Sequence, residues 1–273
     1  MKKIILGLLF LVIGLVGCKS KVAFDYDAKT LIVGLEAAYA PFNWLETTPS
    51  ETNVKLAGGE GYVEGYDVQI AKLIADELGY DLVIKMVDWK GLILSLKSGM
   101  IDVIIAGMSP TEERKREISF TDAYYTSVHV VVTNRDGIYA EATTLDDFAN
   151  AKIIGQKGTI YDDLAGVLAE RNNGAKHLVP LETVPEVVNA LKTGIADVTV
   201  VELPVALSII NSNEDLVMIE FADGFEVAEE DKVVSIGVRK NDKKLLESLN
   251  QALATITEAK REELMLKASI ANG

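Results

Sequence analysis

One short segment occurs twice in this chain. Leu96-Lys97-Ser98-Gly99-Met100-Ile101-Asp102-Val103 has a near copy in Leu191-Lys192-Thr193-Gly194-Ile195-Ala196-Asp197-Val198, which sets Lys97 and Lys192 95 positions apart. Each copy closes an apolar helical pattern and leads into an apolar strand pattern. Gly99 and Gly194 stand where a left-handed residue ends a helix. Solenoid repeats recur every ~20 to 50 residues, so this spacing predicts two lobes built on the same α/β pattern.

The functional content lies just past each copy. Val103-Ile104-Ile105-Ala106 is a continuous apolar run, as in a strand covered on both faces. Gly107 turns the chain off that strand, and Thr111 is placed to cap a helix whose first turn holds Glu112 and Glu113. Ser109 and Arg114 then lie beside the carboxyl end of a strand, where open α/β sheets take their ligands. In the second copy, Val198 to Val201 leads to Glu202 and a short helix over Pro204 to Ile210.

The formal charge of −14, with no basic stripe, argues against a nucleic-acid partner. The one cysteine, Cys18, allows no internal disulfide. His129 and His177 have no Cys, His or carboxylate neighbours at ligand spacing, so neither a metal nor another cofactor is expected. No nucleophile is paired with a base and no glycine-rich phosphate loop is present, so the sequence carries no visible catalytic apparatus.

Lys2 and Lys3 followed by Ile4 to Val16 read as a signal peptide over 1–17. The apolar run is too short to span a bilayer, which takes about 20 residues. Leu15-Val16-Gly17-Cys18 resembles the bacterial lipobox, which would lipidate Cys18 and leave 18–28 as a tether. Loss of Lys2 and Lys3 takes the charge from −14 to −16.

Strands are expected at Leu31 to Leu35, Leu82 to Val87, Lys152 to Gly155 and Val233 to Val238. Glu36 to Trp44 reads as an exposed loop, with Phe42 and Trp44 as anchors and Tyr39 as a recognition surface. Thr47 to Tyr62 reads as a long surface loop or hairpin. Gly65-Tyr66-Asp67 opens a helix that Gly79 closes, and Trp89 packs at the start of the next. Tyr124 to Thr133 is an extended segment suited to cross from one lobe to the other. Thr159 with Asp162 approximates a capping box, and the amides there serve either capping alone or an anion. Thr183-Val184-Pro185-Glu186 starts another helix, and Leu245 to about Lys267 is one closing amphipathic segment. The lobes are drawn at 29–126 with 235–273, and at 127–234.

An arginine, a hydroxyl and a glutamate facing one cleft suit an α-amino acid zwitterion. Arg114 with Ser109 would take the carboxylate and Glu202 the ammonium. Met1 to Cys18, Ala40-Pro41-Phe42, Gly65-Tyr66-Asp67-Val68, Leu96-Lys97-Ser98-Gly99, Ala106-Gly107-Met108-Ser109 with Thr111 and Arg114, Phe120-Thr121, Tyr124-Tyr125 and Gln156-Lys157-Gly158-Thr159 resemble the polar amino-acid-binding proteins of bacterial ABC importers, solute-binding protein family 3.

That resemblance implies a two-lobe α/β fold of the type II periplasmic-binding-protein kind, with a ligand cleft and a two-segment hinge. It implies that Arg114, Ser109 and the amides near Thr159 and Ile160 hold the ligand carboxylate. Glu202 and the Gly107 carbonyl would hold the ammonium. Tyr39 and Tyr66 would sandwich the side chain, with Glu36 and Gln156 at its far end. Glu202 stands where the family commonly has aspartate, Ile160 where glycine is frequent, and the Thr47 to Tyr62 loop is longer than usual.

The expected protein is a monomer, lipid-anchored on the extracytoplasmic face. It captures a polar or cationic amino acid and delivers it to the membrane permease of an ABC importer, without catalysis. Glu36 favours arginine or lysine, whereas Gln156 suits glutamine. Two other readings are a dehydratase-like enzyme acting on a small carboxylic acid, with Glu202 as its acid-base group, and a ligand-sensing lipoprotein.

Overall fold

The computed structural model describes residues 22–271, so the apolar N-terminal segment and Cys18 lie outside the described residues. The first lobe opens with β1 (Thr30–Leu35), β2 (Ala38–Tyr39), β3 (Asn43–Glu46), β4 (Val54–Lys55) and β5 (Tyr62–Glu64). It continues with α1 (Tyr66–Leu78), β6 (Asp81–Met86), α2 (Leu92–Ser98), β7 (Val103–Ile104), α3 (Glu112–Glu117) and β8 (Ser119–Thr126). The second lobe holds β9 (His129–Asn134), β10 (Lys152–Ile154), α4 (Ile160–Arg171), β11 (Lys176–His177), α5 (Val184–Lys192), β12 (Val198–Glu202), α6 (Leu203–Ser212) and β13 (Leu216–Ile219). The chain then returns to the first lobe as β14 (Val233–Val238), α7 (Lys243–Thr255) and α8 (Glu258–Ala271).

These strands form two five-stranded sheets, ordered β6-β1-β7-β14-β8 and β11-β10-β12-β9-β13. In each, three parallel strands are joined by an antiparallel one, β14 against β7 and β9 against β12. The two sheets thus have one plan, and the chain passes between them twice. The extended segment from Tyr124 breaks at Ser127 and Val128, so that β8 and β9 belong to different sheets.

The repeated segment performs the same task in each lobe. Gly99 and Gly194 take φ of 79° and 72° after α2 and α5. The Asp102 N–H donates to the Ile32 carbonyl at 2.7 Å, and the Asp102 carboxylate accepts the Ile32 N–H at 3.1 Å. Asp197 brackets Lys152 in the same way, at 2.8 Å each. A reciprocal pair of this kind satisfies a strand residue that the ladder leaves open, and it joins each helix end to a parallel strand of its sheet, β1 in one lobe and β10 in the other.

Two expectations change. The apolar run from Val103 forms a strand only to Ile104, because Met108 already turns its carbonyl to the Ser235 amide. The closing segment is two helices. Ile256 is extended, and the Thr257 hydroxyl accepts the Lys260 amide at 3.2 Å, which starts α8 afresh. The Thr47 to Tyr62 stretch forms a hairpin, one of the two forms expected, with β4 antiparallel to β5 in a small sheet ordered β2-β3-β5-β4. Its tip is pinned to α1, with Gln69 Nε2 donating to the Thr52 carbonyl and Lys72 Nζ to the Glu51 carbonyl. Among the described residues, no helix is long and apolar enough to cross a membrane.

Candidate ligand-binding cleft

Arg114 comes from the first turn of α3, where the Thr111 hydroxyl accepts its amide as the N-cap. Its Nη1 donates to the Ser109 carbonyl at 2.8 Å, and Nη2 reaches across the cleft to the Gly158 carbonyl at 3.2 Å. The guanidinium lies 5.0 Å from the Trp89 ring, and the Trp89 indole also donates to the Gly158 carbonyl. Burial pushes the Arg114 guanidinium below its usual range, yet arginine stays protonated. Among the described residues, no carboxylate lies within ion-pair distance of it. Ser109 is buried beside it. With Thr159 and Ile160 from the second lobe, Arg114 lines a cavity of about 530 Å³.

Glu202 ends β12 and is buried. Its Oε1 accepts the Tyr39 hydroxyl at 2.5 Å from the first lobe and the Tyr161 hydroxyl at 2.9 Å from its own. Burial pushes the Glu202 carboxyl up to about 7. Opposite it across the β9–β12 ladder stands His129, also buried, whose imidazole burial pushes down to about 4. Among the described residues, no group of three potential ligands could hold a metal ion.

Glu36 follows β1 and is buried too, not a solvated loop charge. Gln156 Nε2 donates to both of its oxygens at 3.2 Å and to the Glu182 carbonyl at 3.0 Å. Burial pushes the Glu36 carboxyl up to about 7, and the nearby charge of Asp88 adds to that. A cavity of about 180 Å³ is lined by Glu36, Asp88, Trp89, Lys90, Glu182 and Thr183. Lys90 and Lys157 both pair with Glu182, at 3.1 and 3.4 Å.

The aromatic loop differs from its expected exposure. Tyr39 is buried, and its ring stacks on Phe42 at 5.4 Å. The loop turns inward because β2 folds back on β3, pairing Ala38 with Trp44 and Tyr39 with Asn43. Tyr66 is fully buried at the head of α1. Its hydroxyl donates to the Tyr124 carbonyl, and its ring meets Phe42 and Tyr125 edge-on. Of the two rings assigned to the solute's side chain, Tyr39 is the one whose hydroxyl reaches the other lobe.

Gly107 takes φ +60°, and a Cβ there would sit 2.8 Å from Tyr39 Cε1. Its N–H donates to the Tyr124 hydroxyl at 3.1 Å, which donates to Asp67 Oδ1 at 2.6 Å. Asn43 Nδ2 donates to the other Asp67 oxygen at 2.8 Å. This chain of bonds fixes the Gly107 turn. Burial pushes the Asp67 carboxyl up to about 6. Sequence reasoning missed Asp67, Tyr124 and Tyr161. The Thr159 capping box is half formed. The Thr159 hydroxyl accepts the Asp162 amide at 3.4 Å, while the Asp162 carboxylate turns to His177 Nε2 at 2.7 Å.

Over residues 31–267 the chain matches the family of bacterial extracellular solute-binding proteins, family 3. It belongs to that family. This family 3 protein is therefore an extracellular binding protein and not an enzyme. It is 30% identical over 228 residues to the arginine-binding extracellular protein ArtP of Bacillus subtilis, covering 82% of this chain and 80% of ArtP. A solved structure of AbpA, an amino acid ABC transporter substrate-binding protein from Streptococcus pneumoniae bound to L-arginine, superposes with a TM-score of 0.74 at 27% identity, covering 89% of this chain and 96% of that one. An ancestral arginine-binding protein bound to glutamine superposes with a TM-score of 0.70 at 29% identity, covering 88% and 97%.

Proposed function

We propose that this family 3 protein captures a cationic L-amino acid, arginine or lysine ahead of glutamine, and hands it to the permease of an ABC importer. One observation carries the reading. Two separate buried carboxylates, Glu202 and Glu36, share the cleft with an arginine that has no carboxylate partner among the described residues. A solute with two cationic groups and one anionic group complements that set. Its carboxylate goes to Arg114, Ser109 and the amides of Thr159 and Ile160. Its α-ammonium goes to Glu202 and the Gly107 carbonyl. Its side chain lies along Tyr39 and Tyr66, and the distal cation meets Glu36 beside Gln156. The names of ArtP and AbpA point to the same solute.

The solute works by taking over bonds between the lobes. Tyr39 to Glu202, Gln156 to Glu36, and Trp89 and Arg114 to Gly158 all cross the cleft directly. Opening about the two crossing segments breaks them, and a bridging amino acid replaces them on closure.

The test of cation selectivity is Glu36→Gln, measured by calorimetry on arginine and glutamine side by side. Removing one partner of a buried charge pair costs about 2–5 kcal/mol, so arginine affinity falls by about 30-fold or more. Glutamine affinity stays within about threefold, a change of under 1 kcal/mol. Equal losses for both, or none for either, sink the cationic preference.

The second arm of the proposal is the anchor. A lipid on Cys18 holds the protein, as a monomer, on the outer face of the membrane beside its permease, with 18–28 as the tether. Cys18→Ala is expected to move the protein from the membrane fraction to the soluble one. A variant that stays with the membranes removes the lipid from the account.

A further inference from the structure

We propose that Tyr161 is the positioning residue that holds the Glu202 carboxylate ready for the ammonium group of the solute, an inference that rests on the amino-acid reading above. Tyr161 stands in the first turn of α4, directly after the Thr159 cap and Ile160. That helix packs against β12, the strand that ends in Glu202. Donor and acceptor therefore sit on the same lobe, and their 2.9 Å bond does not depend on how far the lobes are apart. Tyr39 donates to the same oxygen but belongs to the first lobe, so its bond exists only on closure.

Both bonds land on Oε1, and among the described residues no hydrogen bond reaches Oε2. A carboxylate pinned by one oxygen keeps the other for the ligand. Glutamate carries one more methylene than aspartate and one more rotatable bond, which an unsupported side chain would spend on other rotamers. The Tyr161 phenol takes up that reach. Its ring is itself held, 5.7 Å from His129 and 6.5 Å from Tyr39.

A phenol that donates to the ionised carboxyl favours the charged form, against the burial that opposes it. The other titratable groups facing Glu202 are Tyr39 from β2, Tyr125 from β8 and His129 from β9, with Asp67 of α1 acting at longer range. None of them is a cation paired with Glu202, so among the described residues the two phenols alone donate to its carboxylate.

The experiment titrates the Glu202 side chain by carbon-13 NMR in the unliganded protein, assigning its signal by loss in Glu202→Gln. Tyr161→Phe is expected to raise the Glu202 midpoint by about one pH unit, the effect of losing a hydrogen bond to the charged form. Affinity for L-arginine then falls about ninefold at pH 6 and about twofold at pH 8, as linkage to that one proton requires. A merely structural role lowers affinity by the same factor at both values and leaves the midpoint where it was, and either result overturns the proposal. Should Tyr161→Phe fail to fold, 3-fluorotyrosine at 161 is a stronger donor of the same shape and lowers the midpoint; an unmoved midpoint there overturns it equally. A parent that binds neither L-arginine nor L-glutamine removes the amino-acid reading, while the carboxyl titration still decides whether Tyr161 holds Glu202.

Discussion

Arg114→Ala abolishes measurable amino-acid binding, whatever side chain the solute carries. On the proposed reading the guanidinium is the cation for the solute's carboxylate, and two contacts hold it in place. Nη1 is held by the Ser109 carbonyl, and the plane lies over Trp89. The neutral Ser109 carbonyl positions it without neutralising it. Loss of a buried partner of this kind costs about 2–5 kcal/mol, a fall of about 30-fold to several-thousand-fold in affinity. Lysine at 114 does not restore it, because a point charge cannot make the planar two-bond contact. Arg114 is in no ion pair among the described residues, and the Ser109 and Gly158 carbonyls keep the Thr111 amide and the Trp89 indole as donors, so its removal is expected to cost stability only about 0.5–1.5 kcal/mol for each hydrogen bond lost. Glu202→Ala is expected to lose binding as completely. It also strands the hydroxyls of Tyr39 and Tyr161, so its unfolding midpoint drops as well. Calorimetry and urea unfolding on both variants check this. A dissociation constant within about tenfold of the parent, or 1.4 kcal/mol, takes that residue out of the site.

The places of Arg114 and Glu202 in the fold were legible because strand, turn and helix succeed one another in chain order, and a residue just past a strand has little choice of place. The duplicated Lys-Ser/Thr-Gly segment marks those strands by pattern alone. What it does there was not legible, since the partners of Asp102 and Asp197 lie at Ile32 and Lys152, far away in the chain. Tyr161 was hidden for a related reason. The first turn of a helix exposes several positions, and which one faces inward depends on how α4 sits on its sheet. Tyr39 read as exposed because loops lie mostly at surfaces, yet this loop is sealed between two lobes. The break at Ile256 was invisible because the apolar pattern runs on through it, and only the Thr257 cap marks the new helix.

The largest loss of stability is expected from Arg239→Met. Arg239 ends the return to the first lobe and is 5% exposed. Its Nε donates to Asp242 at 2.6 Å, Nη1 to the carbonyls of Ile101 and Leu96 at 2.7 and 3.3 Å, and Nη2 to Asp102 at 3.2 Å. One guanidinium thus ties the chain after β14 to the first copy of the repeat. Asp242 is also buried, and its other oxygen accepts the Phe24 amide. Methionine fills much of the volume but removes the cation from Asp102 and Asp242 and the guanidinium donor from the carbonyls of Ile101 and Leu96. Breaking a buried pair from one side costs about 3–5 kcal/mol, a large part of the ~5–15 kcal/mol that holds a domain together. The melting temperature should fall by roughly 10 °C. The second lobe supplies the control. Asp197 occupies the matching place, but its cation, Lys152 Nζ, lies 3.6 Å away with side chains 39% and 30% exposed. A pair that open to water is worth about 0–1 kcal/mol, so Lys152→Met should shift the urea midpoint little. Equal losses in the two variants would show that burial does not set the difference. Arginine binding by folded Arg239→Met should match the parent, because the four hydrogen bonds of Arg239 go to Asp242, Leu96, Ile101 and Asp102, away from the cleft residues.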